Sequence, residues 1–161
     1  MRNDAYDPNA KKDLSLVTDT DPMRLRMEAF VKSQQKQIVS AIESLEPSKR
    51  FRIDTWTRPE GGDGISAVLQ DGDVFEKAGV MVSVVHGKLG PAAVAKMRTD
   101  HSKIQPSPNG ETPFFACGIS LVLHPVNPNA PTVHMNYRFF EIENADGTST
   151  SWFGGGTGTL L

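Results

Sequence analysis

The sequence predicts an α+β fold, an antiparallel sheet flanked by helices. Residues 21–46 repeat apolar side chains with the spacing of a helix, whereas much of the chain after residue 50 alternates apolar and polar residues between turn signals. Alternating runs joined by short turns favour a meander of antiparallel strands, and a preceding helix can cover one face of such a sheet. A chain of 161 residues is long enough for one domain with a real core.

The helix is expected to begin at Asp21-Pro22, because Asp can accept hydrogen bonds from free amide groups and Pro suits the first helical position. Its apolar repeat stops at Glu46-Pro47, which predicts its end. Residues 1–20 lack this periodicity. They are expected to form a mobile tail ahead of a domain that occupies residues 21–161.

The first half of the predicted sheet is read from alternation and turn signals. Residues 50–58 alternate and predict a strand, and the glycine-rich segment 60–64 predicts a turn, since it lacks the Lys-Ser/Thr ending of a phosphate loop. Residues 65–69 predict a short strand, followed by a turn at 70–72. Residues 80–85 (VMVSVV) predict a further strand from their β-branched content.

The second half begins with a short helix predicted at residues 91–100, which have a proline start and several alanines. Residues 101–112 contain two prolines and a glycine and are expected to form a loop. Residues 144–147 predict a hairpin turn, and Trp152-Phe153 with the three glycines that follow leads toward the chain end with no element assigned.

Composition excludes several classes of function. The net charge of −2 argues against a general nucleic-acid binder, which needs a basic surface. The single cysteine, Cys117, excludes an internal disulfide framework and a Cys-rich zinc motif, and its place on an apolar strand face predicts a buried, inert thiol. No apolar run approaches a membrane span, and the polar N-terminus is unlike a secretory or transit peptide, so a cytoplasmic location is expected.

The segment from Phe114 to Arg138 is the most informative part of the sequence. It predicts two strands joined by a loop that three prolines stiffen. Because side chains alternate between the faces of a strand, the polar residues of both strands share one face with a few apolar ones. These residues are Phe114, Ala116, Gly118, Ser120, Val122 and His124 on the first strand, and Thr132, His134, Asn136, Arg138 and Phe140 on the second.

Two interpretations of this polar face remain open. Any sheet with one solvated face shows such alternation, but a solvated face is usually rich in Lys, Glu and Thr. Here the polar side chains are a hydroxyl, two imidazoles, an amide and a guanidinium, set among Phe, Val and Gly. We therefore favour a site for a small anionic ligand.

Several long motifs resemble one enzyme family. At FEKAGVMVSVVHG, HPVNPNAPTVHMNYRFFE and WFGGG the chain resembles oxygen-dependent coproporphyrinogen III oxidase, and DTWTR, ISAVLQDG and GPAAVAKMR agree as well. The resemblance implies an antiparallel sheet flanked by helices, a homodimer, and a role in haem and porphyrin biosynthesis. The implied reaction is oxidative decarboxylation of two propionates of coproporphyrinogen III to give protoporphyrinogen IX, with molecular oxygen as acceptor and no organic cofactor.

The resemblance also implies roles for single residues. His134 matches the proton-donating histidine of the family, and the substrate-contacting positions are Ser120, Asn136, Tyr137 and Arg138. An arginine can hold a propionate carboxylate with two parallel hydrogen bonds, and an imidazole can exchange a proton near neutral pH.

Only two residues of this chain match positions that the family uses as metal ligands. His124 and His134 match two histidines to which some bacterial members assign a divalent cation. A zinc-type site needs three or four protein ligands, so we favour for His124 a role in fixing the start of the proline-rich loop. His86 and His101 match no position with an assigned function.

The resemblance changes after the triple glycine. The family continues with an Asp-Leu-Thr-Pro segment and a large C-terminal half, whereas this chain reads Thr157-Gly158-Thr159-Leu160-Leu161. Gly158 stands where the family has an acidic residue, and Asn129 stands where many members have His. The expectation is a truncated oxidase. The alternative is a catalytically inactive fragment that at most binds a porphyrinogen or a full-length partner.

Overall fold

The computed structural model of the chain describes residues 13–108 and 110–160, and it confirms the predicted α+β fold. Six strands form one antiparallel meander in the order β1-β2-β3-β4-β5-β6. The elements are a 3-10 turn at Leu14–Leu16, helix α1 at Met23–Leu45, strands β1 at Arg52–Thr57, β2 at Gly62–Gln70 and β3 at Phe75–Leu89, helix α2 at Pro91–Met97, and strands β4 at Thr112–Pro125, β5 at Thr132–Glu143 and β6 at Ser149–Leu160.

The start of α1 lies slightly later than the sequence predicts. Pro22 is the N-cap residue and not the first helical residue, and the carboxylate of Asp21 accepts a hydrogen bond of 2.8 Å from the backbone N–H of Thr18. The predicted end at Glu46 is confirmed, since Glu46 is the C-cap residue. Most of the predicted mobile tail, residues 1–12, lies outside the described residues.

Three strand predictions were too short or absent. β2 begins at Gly62, earlier than predicted, because residues 62–64 pair with Val85, Val84 and Ser83 of β3. β3 extends well beyond residues 80–85 because it pairs with long neighbours on both sides. β6 was not predicted, since glycine is depleted in strands, yet it pairs with β5 along its whole length. In contrast, α2 ends earlier than predicted, at Met97.

Helix α1 covers one face of the sheet, here called the helix face. Its buried Val31 and Ile42 pack with apolar side chains of the central strands, among them Val80 and Ile119. The buried amide of Gln35 donates hydrogen bonds of 2.9 Å and 2.8 Å to backbone carbonyls on β2 and β3. Burial of apolar area is the main force that holds this layer on the sheet.

A buried carboxylate fixes the end of α1 to the turn between β2 and β3. Glu46 is fully buried and accepts backbone hydrogen bonds from Asp73, Val74 and Phe75 at 2.8–3.2 Å, and one of 2.8 Å from the hydroxyl of Ser48. Burial opposes ionisation, but the three backbone donors outweigh it and lower the pKa of Glu46 to about 2. The ionised carboxylate therefore stabilises this junction at neutral pH.

Helix α2 and the chain after it cover one end of the opposite face, here called the open face. Val94, Ile104 and Ile142 are buried there and contact Phe114, Phe140 and Trp152. The rest of the open face carries no helix among the described residues. No described helix is both long enough and apolar enough to cross a membrane.

Candidate functional site

The predicted polar face is the open face of the sheet. Residues directly opposite each other in an antiparallel pair point to the same side. The β4–β5 register therefore brings together three pairs on this face: Gly118 with Arg138, Ser120 with Asn136, and Val122 with His134. Four of the predicted site residues thus lie on two adjacent strands within a few residues of one another.

Arg138 is held in place by its neighbours. Its Nε donates a hydrogen bond of 3.0 Å to Oδ1 of Asn136, two residues along the same strand. Its aliphatic stem crosses Gly118, where an added Cβ would lie 3.3 Å from Cγ of Arg138 and 2.7 Å from the carbonyl oxygen of Tyr137. Glycine at this position therefore leaves the room that the arginine occupies.

The charge of Arg138 has no carboxylate partner in the part of the chain that the structure describes. A cavity of about 610 Å³ lies on the helix face near the start of α1 and is lined by Arg24, His86, Lys88 and Glu141, among others. Two of its cations do have carboxylate partners. Arg24 lies 3.2 Å from Glu141, and Lys88 lies 2.8 Å from Glu111. Arg138 is therefore better placed to bind an anion than either of these cations.

Two recesses flank Arg138 on the open face. The first, of about 240 Å³, lies over β3, β4 and β5. Its open-face residues are Met81, Ser83, Val85, Ala116, Gly118, Ser120, Asn136, Arg138 and Phe140. The second, of about 320 Å³, lies toward β6 and is lined by Arg138, Phe140, Trp152, Gly154 and Gly155.

Strand β6 contributes almost no side chains to this part of the face. Its Gly154, Gly156 and Gly158 lie opposite Arg138, Asn136 and His134, and an added Cβ at any of the three would contact nothing within 4 Å. The floor beside the polar residues is therefore bare backbone, which leaves space for a flat ligand. The register also places Gly158, which stands at the acidic position of the resembling family, directly across from His134.

An aromatic stack borders the site. The ring of His101 lies 3.8 Å from that of Trp152, Trp152 lies 4.9 Å from Phe140, and Phe140 lies 5.5 Å from Phe114, measured between centroids. The interplanar angles of 20°, 22° and 7° make these contacts stacked. Sequence alone did not indicate the contact between His101 and Trp152, because they lie 51 positions apart on a loop and on a strand that was not predicted.

The remaining predicted residues are not all on this face. Tyr137 points to the helix face, where its side chain is 46% exposed, so it cannot share a surface with its two neighbours in sequence. His86 also lies away from the site, on the helix face. His124 is exposed, and its Nδ1 lies 3.3 Å from the hydroxyl of Thr132 at the two ends of the proline-rich loop. Its contact agrees with a role in fixing that loop.

The proposed metal ligands are incomplete. His124 and His134 share the open face at diagonal positions, since His134 lies opposite Val122 and His124 is two residues beyond it. Within residues 13–108 and 110–160 no group of three or more His, Cys, Asp or Glu side chains could hold a metal ion. A zinc-type centre needs more ligands than these two imidazoles supply.

The prediction of a buried, inert thiol at Cys117 agrees with its environment. The residue is free and buried on the helix face, and burial raises the pKa of its thiol to about 12. Because the thiolate is the reactive form, both burial and the raised pKa disfavour reaction of this cysteine in the folded chain.

Comparisons with known proteins point to the same family as the motifs. The family model described as coproporphyrinogen III oxidase matches residues 26–159. The oxygen-dependent coproporphyrinogen-III oxidase of Drosophila melanogaster is 51% identical over 144 residues, which are 89% of this chain and 36% of that protein. The mitochondrial protein of that name from Homo sapiens is 50% identical over 134 residues, 83% of this chain and 29% of that protein.

A plant relative extends the same comparison. The chloroplastic coproporphyrinogen-III oxidase 1 of Arabidopsis thaliana is 46% identical over 149 residues, 90% of this chain and 38% of that protein. The chain thus spans about a third of the length of these relatives. The match nevertheless covers most of the chain, including both strands of the open-face site, and the chain belongs to the coproporphyrinogen III oxidase family.

Proposed function

We propose that the open face of this sheet binds coproporphyrinogen III in an oxygen-dependent coproporphyrinogen III oxidase of haem and porphyrin biosynthesis. One observation carries this proposal: Arg138 has no carboxylate partner among the described residues, is oriented by Asn136, and lies between two recesses. The names of relatives about 50% identical to this chain support the choice of substrate.

Binding follows from the donors on this face. The Nε–H of Arg138 already donates a hydrogen bond to Oδ1 of Asn136, so the two terminal nitrogens can hold one propionate carboxylate with two parallel hydrogen bonds. The hydroxyl of Ser120, directly opposite Asn136, supplies a further donor or acceptor. The bare β6 floor leaves room for the macrocycle to lie close to the backbone.

In the proposed reaction, each of the two propionates is oxidised and decarboxylated. The carbon next to the pyrrole ring loses a hydrogen with its electron pair, the bond to the carboxylate breaks, and a vinyl group and carbon dioxide form. Dioxygen accepts the hydrogen and its electron pair, takes up one proton, and leaves as hydrogen peroxide. His134 is the proposed proton donor, since its exposed imidazole lies on the same face two residues from Asn136. No step is assigned to a metal or an organic cofactor.

Gly158 favours the second candidate, a chain that binds the porphyrinogen without converting it. The family has an acidic residue at this position, and the register places Gly158 directly across from the proposed proton donor. A carboxylate there would lie beside His134, whereas glycine supplies neither charge nor hydrogen bonds. The homodimer implied by the family belongs to the first candidate, the oxidase.

Binding and turnover need separate tests. Fluorescence titration with coproporphyrin III, the stable oxidised form, should show binding by the wild-type chain and a loss of at least about tenfold in Arg138→Gln. Arg26→Gln is the matched control, because Arg26 lies on α1, away from the open face, and among the described residues it pairs with the exposed Asp19. Equal affinity of all three proteins would overturn the proposed site.

Turnover is assayed as protoporphyrinogen IX formed from coproporphyrinogen III in air. Conversion by the wild-type chain that is lost in His134→Ala supports the first candidate, the oxidase. Binding without conversion, with conversion appearing in Gly158→Asp, supports the binding-only candidate and assigns the missing step to the acidic position.

A further inference from the structure

The second recess beside Arg138 has features that the proposed carboxylate contact does not use. Arg138 and Phe140 line both recesses, so they form a ridge between them. On the far side of the ridge the recess is walled by the indole of Trp152 and floored by Gly154 and Gly155. A cation, an aromatic wall and an open floor therefore meet in one space of about 320 Å³.

The aromatic wall is held rigidly. Trp152 stacks between His101 and Phe140, at 3.8 Å and 4.9 Å between ring centroids. His101 is in turn anchored by backbone hydrogen bonds, with its N–H donating to Met97 at 3.0 Å and its carbonyl accepting from Ile104 at 3.1 Å. Because Ile104 is buried against the end of the sheet, the loop cannot move freely and the indole keeps its orientation.

This combination suits a flat aromatic group that carries a carboxylate. An aromatic wall contributes contact area at low cost in conformational entropy, because only two side-chain torsions are fixed. The guanidinium at the edge of the recess can bind a carboxylate that projects from the ring. The first recess, which shares Phe140, adds the hydroxyl groups of Ser83 and Ser120 and the amide of Asn136 and lacks the indole. The two sides of Arg138 therefore favour different parts of one ligand.

We propose that the recess lined by Arg138, Phe140, Trp152, Gly154 and Gly155 is a second substrate subsite, in which one carboxylate-bearing pyrrole ring packs against the edges of the Phe140 and Trp152 rings, since the faces of the indole are covered by His101 and Phe140. His101 is a positioning residue that holds the indole in place. The subsite rests on the proposed function, since a tetrapyrrole with several carboxylates can occupy both recesses at once. Trp152 then fixes which ring lies on the β6 side of Arg138 and which lies near Ser120 and His134.

The two tryptophans of the chain provide a direct test. Trp56 lies on β1 with its ring over Gly64 of β2, whereas Trp152 lies on β6 at the other edge of the sheet. A porphyrin ring current shifts only nuclei close to the macrocycle. On titration of the ¹⁵N-labelled chain with coproporphyrin III, we expect the indole N–H signal of Trp152 to move more than that of Trp56, whose ring lies over the strand next to the first recess.

A steric variant makes the test quantitative. Gly154→Leu places an apolar side chain at the recess, and its Cβ would contact nothing within 4 Å. We expect it to weaken coproporphyrin III binding by about tenfold, the loss of one packed ring. Gly90→Leu is the matched control, since Gly90 also has nothing within 4 Å and has an ordinary φ of −74°. His101→Ala should weaken binding less than Gly154→Leu and broaden or shift the Trp152 signal in the free protein.

The outcomes separate the subsite from the proposed function. Binding that depends on Arg138 but leaves the Trp152 signal and the affinity of Gly154→Leu unchanged overturns the subsite and leaves the proposed function standing. Absence of any coproporphyrin III binding overturns both. A moved Trp152 signal together with weaker binding by Gly154→Leu, and not by Gly90→Leu, supports the subsite.

Discussion

Arg138→Lys tests whether the geometry of the guanidinium matters beyond its charge. Lysine keeps the positive charge but has no Nε–H to donate to Asn136, which now accepts that bond at 3.0 Å. It also replaces the planar fork by a single ammonium group on a flexible stem. Two interactions are therefore lost: the contact that orients the side chain, and the second of two parallel bonds to the carboxylate.

The size of the effect follows from these bonds. A hydrogen bond to a charged group contributes about 1.5–3 kcal/mol, and each 1.4 kcal/mol is roughly a factor of ten in Kd. We expect Arg138→Lys to weaken coproporphyrin III binding by about tenfold or more. Arg26→Lys, which also keeps its charge, should bind as the wild type does. Fluorescence titration at two salt concentrations checks the result, because both variants keep the net charge and long-range attraction is unchanged. An Arg138→Lys variant within about twofold of the wild type would refute the carboxylate fork.

Three other predictions concern the scaffold. Glu46→Gln should reduce the free energy of unfolding at pH 7. Because folding lowers the pKa of Glu46 from 4.5 to about 2, the stability difference between the wild type and the variant should shrink as the pH falls through this range. Urea denaturation checks this, and an equal stability difference at pH 7 and pH 3 would contradict the account. Gly118→Ala should lower Tm and weaken ligand binding together, since its Cβ would lie 2.7 Å from the backbone oxygen of Tyr137, whereas Gly154→Ala should leave Tm unchanged. Cys117 should react with a thiol reagent only after denaturation, and rapid reaction of the native chain would show that it is not buried.

The shared face of the candidate site residues was predictable because side chains alternate between the two faces of a strand. Placing Ser120, Asn136 and Arg138 on one face needs only the alternation within each strand, and the β4–β5 register then sets them against one another. Alternation also separates Tyr137 from Asn136 and Arg138, although the resemblance to the family groups the three. In a strand, alternate residues share a surface, whereas residues adjacent in sequence do not.

The features that were not predictable depend on pairing between distant segments. β6 contains several glycines and has little intrinsic preference for a strand, so only its partner β5 makes it one. The stack of His101 on Trp152 joins a loop to that strand, and the crossing of Arg138 over Gly118 depends on the register of two strands. None of these contacts leaves a periodic signal in the sequence.

A structure of the chain in complex with coproporphyrin III tests the central claim most directly. The account predicts that the macrocycle lies on the open face, over the glycines of β6, with a carboxylate on the terminal nitrogens of Arg138 and another part of the ligand near Ser120. A macrocycle seated instead in the helix-face cavity beside Arg24 and Lys88, with Arg138 free of carboxylate, would contradict it.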